Sequence, residues 1–229
     1  MLRGEKVALR ARREADIPIL YAELYEDVLT HARSDGRPWQ PIPPTAPGAP
    51  YAIAEASSGA APFSVVLLPR EPAGAEAGPA SGGGAASEGG PASETDAGTE
   101  TDTGTETDTA PEGGGEPEGG GEPEGGGELV GEAVLWGIDT HNRSAHLGIS
   151  LRPRFRGQGL SADVVRVLCA YGFRIRGLHR LQIETLADNT AMIAAALRNG
   201  FEREGVLHGA AWVDGRFEDE VILGRLADG

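Results

Sequence analysis

The residues best equipped for chemistry in this chain form one short run, Arg156-Gly157-Gln158-Gly159-Leu160-Ser161, preceded by Arg152 and Arg154. Two glycines one residue apart allow positive φ and a close approach of the backbone to a ligand. A helix starting just beyond offers unpaired N–H groups and the positive end of its dipole, so with the arginines the run is suited to phosphate. It is not a dinucleotide fingerprint, because Ala162 stands where the third glycine of G-x-G-x-x-G belongs, and G-K-[ST] is absent. Three polar residues in strand-like stretches, Glu132, His146 and Glu184, could handle a proton. An imidazole, which ordinarily titrates near pH ~6.5, is the best matched of them. The plainer reading of each is a hydrogen-bonded sheet histidine or a carboxylate facing solvent or an arginine.

Several elements must position these groups. Residues 7–10 read as a strand, and Asp16 is suited to cap a helix that carries Leu20, Leu24 and Val28 on one stripe, with Pro18 in its first turn. Prolines make 37–50 a loop, and 63–68 is a strand that stops at Pro69. Strands over 129–138 and 144–151, joined by turn residues 139–143, form a hairpin that delivers the chain to the arginine run. Leu160, Val164, Leu168, Tyr171 and Ile175 mark a long amphipathic helix with Asp163 in its first turn and Gly177 at its end. A strand over 181–185 follows. Asp188-Asn189 then caps a helix with Met192, Ile193, Ala196 and Leu197, which ends at Gly200-Phe201. Asp214-Gly215 turns a closing hairpin between 210–213 and 217–223. Cys169, within the long helix and without an adjacent histidine, reads as a small core residue.

The 229 residues carry a formal charge of −15, but unevenly. Fifteen of the 35 acids lie in 71–128, which has no Lys or Arg, so the remainder balances 20 acids against 20 bases. That segment holds 18 of the 35 glycines and no Val, Ile, Leu, Met or aromatic residue. It cannot bury enough apolar surface to offset an ordering entropy of roughly 1–2 kcal/mol per residue. It is expected to be a disordered, acidic Gly/Glu/Thr/Pro-rich insertion within a single domain made of 1–70 and 129–229. Closing such a loop costs little, since the penalty grows only logarithmically with length. The acidic balance argues against nucleic acid as a partner. The chain has no apolar run long enough for a membrane span and no signal-peptide core at its start. A lone cysteine forbids an intrachain disulfide. The expectation is a cytoplasmic protein with no membrane partner and no metal site, and the terminal strands leave room for a homodimer.

Arg156-Gly157-Gln158-Gly159-Leu160-Ser161 resembles the (Q/R)-x-x-G-x-(G/A) loop of the GNAT acetyltransferases, with Ser161 at the last position. The order strand, arginine loop, long helix, strand, Asn-capped helix and Gly200-Phe201 resembles the core of that superfamily over 144–226. Residues 2–10 and Asp16 resemble the start of its branch acting on ribosomal-protein N-termini. The resemblance implies an α/β fold with a splayed mixed sheet flanked by helices, and acetyl-CoA as co-substrate. Main-chain groups of Ile149 to Leu151 would pair with the pantetheine arm. Arg156, Gly157, Gln158, Gly159, Leu160 and Ser161 would take the pyrophosphate, and Asn189 would contact the cofactor or fix the backbone there. The reaction implied is N-acetylation of a primary amine: a protein or peptide N-terminal α-amine, or alternatively a small-molecule amine or antibiotic. His146 and Glu184 are the catalytic candidates, with Glu132 behind them.

One departure stands out. The family's tyrosine acid, seven positions after the asparagine, is Ala196 here, and the serine used three positions after it in the ribosomal branch is Met192. Either the thiolate leaves without side-chain help or the protein is a catalytically weak CoA-binding sensor. A doubtful base also favours an α-amine. Neutralising a lysine at pH 7 costs about 4.6 kcal/mol, against about 1 kcal/mol for an α-amine.

Overall fold

The computed structural model describes residues 1–53, 59–69 and 127–227. Eight strands form one sheet in the order β1-β2-β3-β4-β5-β6-β8-β7. They are β1 (Leu2–Arg3), β2 (Val7–Arg10), β3 (Ala60–Leu67), β4 (Leu129–Asp139), β5 (Ser144–Leu151), β6 (Arg180–Leu186), β7 (Glu202–Val213) and β8 (Arg216–Leu226). Every neighbouring pair is antiparallel except β5 and β6. That one parallel pair requires a crossover, supplied by α3 (Leu160–Ala170) and the π-helical turn Tyr171–Ile175. α4 (Thr190–Arg198) connects β6 to β7.

The two faces of the sheet are buried differently. Alternation along each strand sends Val7, Leu9, Val65, Ala133, Leu135, Ala145, Leu147, Leu181 and Ile183 to one side. There they pack on Leu160, Val164, Val165 and Leu168 of α3 and on Ile193 and Ala196 of α4. The opposite face has a small cluster of Ala8, Val66 and Leu129 under Leu20 and Leu24. These last two belong to α1 (Asp16–Leu20) and to a π-helical turn, Tyr21–Tyr25, which lead into α2 (Val28–Ser34).

The first helix differs from the sequence expectation in two ways. Asp16 lies inside α1 and makes no cap bond. Its carboxylate instead binds the Arg10 guanidinium at 2.6 and 2.7 Å, the Arg13 N–H and the Ser64 hydroxyl. Burial pushes this carboxyl up, but those partners outweigh it and hold it below the usual range. Val28 is 44 % exposed, because a new helix capped by Asp27 begins there. A similar phase slip exposes Ile175: a π turn takes in an extra residue, which rotates the stripe by about 100°.

The 71–128 segment lies outside the described residues apart from Gly127 and Glu128. The strands on either side of it, β3 and β4, pair directly from Ala60↔Trp136 to Val66↔Leu129. The Glu128 carbonyl accepts from the Leu67 N–H at 2.8 Å.

Candidate functional site

β5 and β6 pair only from Ser144↔Arg180 to His146↔Gln182 and then part, so the sheet is open between the rest of β5 and the rest of β6. The Arg152 N–H donates to the Val130 carbonyl beyond the end of β5. In an antiparallel ladder hydrogen-bonded pairs alternate, so Ser150, Gly148 and His146 turn their main-chain groups to β4. Leu147, Ile149 and Leu151 turn theirs the other way, and beyond the last paired rung these groups face the gap. The Leu151 carbonyl is already engaged, accepting from Arg156 Nε at 2.9 Å.

At the wide end of the gap the arginine run forms a loop into α3. Gly157 and Gly159 have φ of +74° and +70°, a region where other residues are strained. Gly159 caps α3 without any side-chain bond to the first-turn N–H groups. Residues Arg156 to Gly159 are exposed and Leu160 is buried. Gln158 braces the loop through a 2.8 Å bond to the Arg154 carbonyl. The three arginines divide their roles. Arg152 is buried, donating to the Leu129 carbonyl at 2.5 Å and pairing with Glu23. Arg154 pairs with Glu128 at 2.7 Å. Arg156 makes no close ion pair among the described residues, although, after the Thr30 hydrogen bonds, its charge helps hold the Asp27 carboxyl down, and a terminal guanidinium nitrogen lies 3.5 Å from Thr30 Oγ1. Ser161 is half-buried in the first turn of α3.

Asp163, one turn into α3, ties this loop to the start of the chain. Its carboxylate accepts from the N–H groups of Glu5 (3.2 Å), Lys6 (2.7 Å) and Val7 (3.0 Å), and Arg166 closes over it. A Cβ at Gly4 would lie 2.3 Å from that carboxylate, so only glycine fits the turn. The clasp brings the Lys6 ammonium beside Gly159. The sequence marked Asp163 only as a first-turn acid; its main-chain partners lie more than 150 residues away.

At the closed end of the gap, His146 and Glu184 come together from neighbouring strands. His146 Nδ1 is shielded from solvent and lies 3.6 Å from Glu184 Oε1, just beyond hydrogen-bond distance. Gln182 donates to the same Glu184 oxygen at 2.7 Å. The imidazole stacks on Trp136, with centroids 4.2 Å apart and planes at 23°. Glu220, which had no role in the sequence reading, lies on β8 opposite Leu186, two positions beyond the Glu184 rung; burial and the nearby Glu184 both push its carboxyl up.

Glu132 is held elsewhere on the same face, beside Ser150 in register and bound to Arg12 at 2.7 Å. Burial pushes its carboxyl up against the pull of Arg12. Tyr51, at φ +62°, lies under Arg12 and is kept firmly as a phenol, first by burial and then by Glu132.

Asn189 caps α4. Its carbonyl oxygen accepts from the Met192 N–H at 3.2 Å and its amide nitrogen donates to Thr185 Oγ1 at 3.0 Å. Ala196 is fully buried and Met192 half-buried against the core, so neither offers a proton.

A mixed sheet that parts beside a glycine-arginine loop at a helix N-terminus is an arrangement that can be compared with known proteins. Residues 118–202 match the family model described as an acetyltransferase (GNAT) domain. That stretch of the chain is similar to a GNAT domain. Over 100 residues it is 30% identical to the ribosomal-protein-serine acetyltransferase of Escherichia coli, covering 44% of this chain and 56% of that one. It is 28% identical to the spermidine N(1)-acetyltransferase of Vibrio cholerae, over 40% of this chain and 53% of the relative. The chain thus spans about half the length of the curated relatives it matches. The crystal structure of the Vibrio cholerae spermidine N-acetyltransferase in complex with CoA and spermine superposes with a TM-score of 0.59 at 14% identity, over 96% of this chain and 95% of that one. That likeness establishes the GNAT fold across the described chain.

Proposed function

We propose that this protein uses acetyl-CoA to N-acetylate a primary amine. The observation that carries the reading is the gap between β5 and β6, with main-chain groups of β5 turned towards it and the Arg156–Ser161 loop at its mouth. The pyrophosphate binds the α3 N-terminus and the Arg156 side chain, with the glycines allowing close approach. The pantetheine arm pairs with Ile149 and neighbouring main chain like an added strand, and Asn189 fixes the backbone on the far side. The thioester then lies near the last β5–β6 rung, beside His146 and Glu184.

One face of that rung is filled by the core under α3, so the amine approaches from the other, where both side chains point. The amine must be neutral to attack. His146, backed by Glu184, takes a proton from the neutral nitrogen as it bonds to the thioester carbonyl carbon, and the C–S bond breaks to release CoA thiolate. The thiolate takes a proton from water, because the family's acid positions are Ala196 and Met192; a thiol of pKa near ~8.5 leaves acceptably without more help.

The acceptor we favour is a protein or peptide N-terminal α-amine, more readily neutral at pH 7 than a lysine. The similarity to a ribosomal-protein acetyltransferase supports this, while that to a spermidine acetyltransferase keeps small amines in the test panel. A cytoplasmic setting is part of the proposal. It is supported by the single buried Cys169 and by the lack, among the described residues, of a helix long and apolar enough to cross a membrane. We also propose that the described residues before and after 71–128 form one domain, given the direct pairing of β3 with β4. The exposed edge strand β7 would serve a homodimer.

A second reading, a CoA-binding sensor without turnover, is favoured by the buried Ala196. Calorimetric titration with acetyl-CoA, then thiol release with a panel of peptides, polyamines and antibiotics, separates the two. Micromolar binding with release is expected. Binding without release on any amine selects the sensor, and no binding refutes both. His146→Gln and Glu184→Gln should each lower kcat while leaving acetyl-CoA affinity unchanged.

A further inference from the structure

Trp136 projects from β4 directly opposite His146 in register, on the face from which an acceptor must come. It remains 45 % exposed although one side of its indole is covered by the imidazole. Its placement depends on a local irregularity in β4. The β4–β5 register slips between Trp136 and Asp139, and Gly137 sits inside the bulge at φ +59°. A Cβ there would come within 3.2 Å of His146 Cδ2. Bulges of this kind re-aim a side chain, and only glycine combines that φ with that close approach. Gly148, the next residue on this face of β5, adds no side chain beside the indole; a Cβ there would lie 3.2 Å from Val134 Cγ1 and 3.8 Å from Trp136 Nε1. An exposed tryptophan, an imidazole and the Glu184 carboxylate therefore share one open patch at the closed end of the gap.

We propose that Trp136 is a specificity-determining wall of the acceptor site. Its exposed indole receives the aliphatic or cationic group carried next to the reacting amine, and Glu184 favours a positive charge over a negative one. An indole face attracts ammonium and guanidinium groups and buries alkyl chain. The acceptor class that fits is a primary amine with a neighbouring apolar or cationic substituent. An acidic neighbour is disfavoured by Glu184 and Glu220. The inference rests on the acetyltransferase reading and extends it from the reaction to the choice of acceptor.

The test compares Trp136→Ala and Trp136→Phe with the parent, using dipeptide amides whose second residue is Arg, Leu or Asp. In the parent, KM should be lowest for Arg and Leu and highest for Asp. Trp136→Ala should raise KM for the Arg and Leu peptides by roughly threefold to thirtyfold, with a smaller effect on KM for the Asp peptide and no change in acetyl-CoA affinity by calorimetry. Trp136→Phe should fall between. An activity-independent readout accompanies this: with CoA bound, the Arg peptide should quench tryptophan fluorescence in the parent and not in Trp136→Phe. Equal KM values in parent and Trp136→Ala, or quenching that survives in Trp136→Phe, overturn the assignment while leaving the acetyltransferase intact. No thiol release from the parent with any amine overturns the acetyltransferase reading and this inference with it. If Trp136→Ala does not fold, Trp136→Phe decides through the fluorescence.

Discussion

Replacing Asp163 with alanine should be the most damaging single change outside the hydrophobic core. The carboxylate accepts three successive main-chain N–H groups, those of Glu5, Lys6 and Val7. Glu5 and Lys6 are exposed, so their N–H groups can turn to water after the substitution at a cost of about 0.5–1 kcal/mol each. Val7 is fully buried, and its stranded N–H adds about 1–3 kcal/mol. The total is roughly 2–5 kcal/mol, which for a domain of this size lowers Tm by about 4–20 °C. The pH dependence has a definite sign. Burial pushes the Asp163 carboxyl up, but the N–H groups of Lys6, Glu5 and Val7 and the Arg166 guanidinium outweigh it, and its folded-state value lies below the usual range. The stabilisation is therefore present in full above the ordinary Asp value of about 3.9 and is lost as pH falls through the lower folded value. Thermal and urea melts of parent and Asp163→Ala should differ by a constant amount from pH 5 to 8 and converge below about pH 4. A loss under about 1 kcal/mol at neutral pH, or a gap that widens in acid, would refute the reasoning. Because the clasp anchors the first turn of α3, the variant should also bind acetyl-CoA more weakly.

Two glycines test the site more locally. Gly159→Val imposes a β-branched side chain at φ +70°, costing about 1–2 kcal/mol of backbone strain. It also blocks the approach to α3, so acetyl-CoA affinity by calorimetry should fall at least tenfold while the fold persists by circular dichroism. Gly137→Ala, strained by a similar amount and pressed against His146, should lower kcat severalfold without altering acetyl-CoA affinity; unchanged turnover would mean that the imidazole position does not matter.

Local physics made much of this protein readable from its residues. The spacing of Gly157 and Gly159 announces a turn with two positive φ values, and Asp214-Gly215 announces the closing hairpin, because each depends on a few adjacent residues. Alternation sets strands β2 and β5 to the residue, since a period of two leaves little freedom of register. Asn189 capping α4 was legible for the same reason. The helices around Val28 and Ile175 were less so, since a π turn inserts a residue without any signal in composition. The linking interactions of the site were not legible at all. Asp163 reaches Val7 across 156 positions, and Asp16 abandons a cap for Arg10 and Ser64. His146 meets Glu184 only because two strands with a helix between them lie side by side and then part. The residue types and their alternation dictated which side chains share a face. Which of those side chains touch was decided by strand order, by the rung at which β5 and β6 separate, and by the bulge at Gly137. These are outcomes of packing distant segments together, and no run of neighbouring residues encodes them.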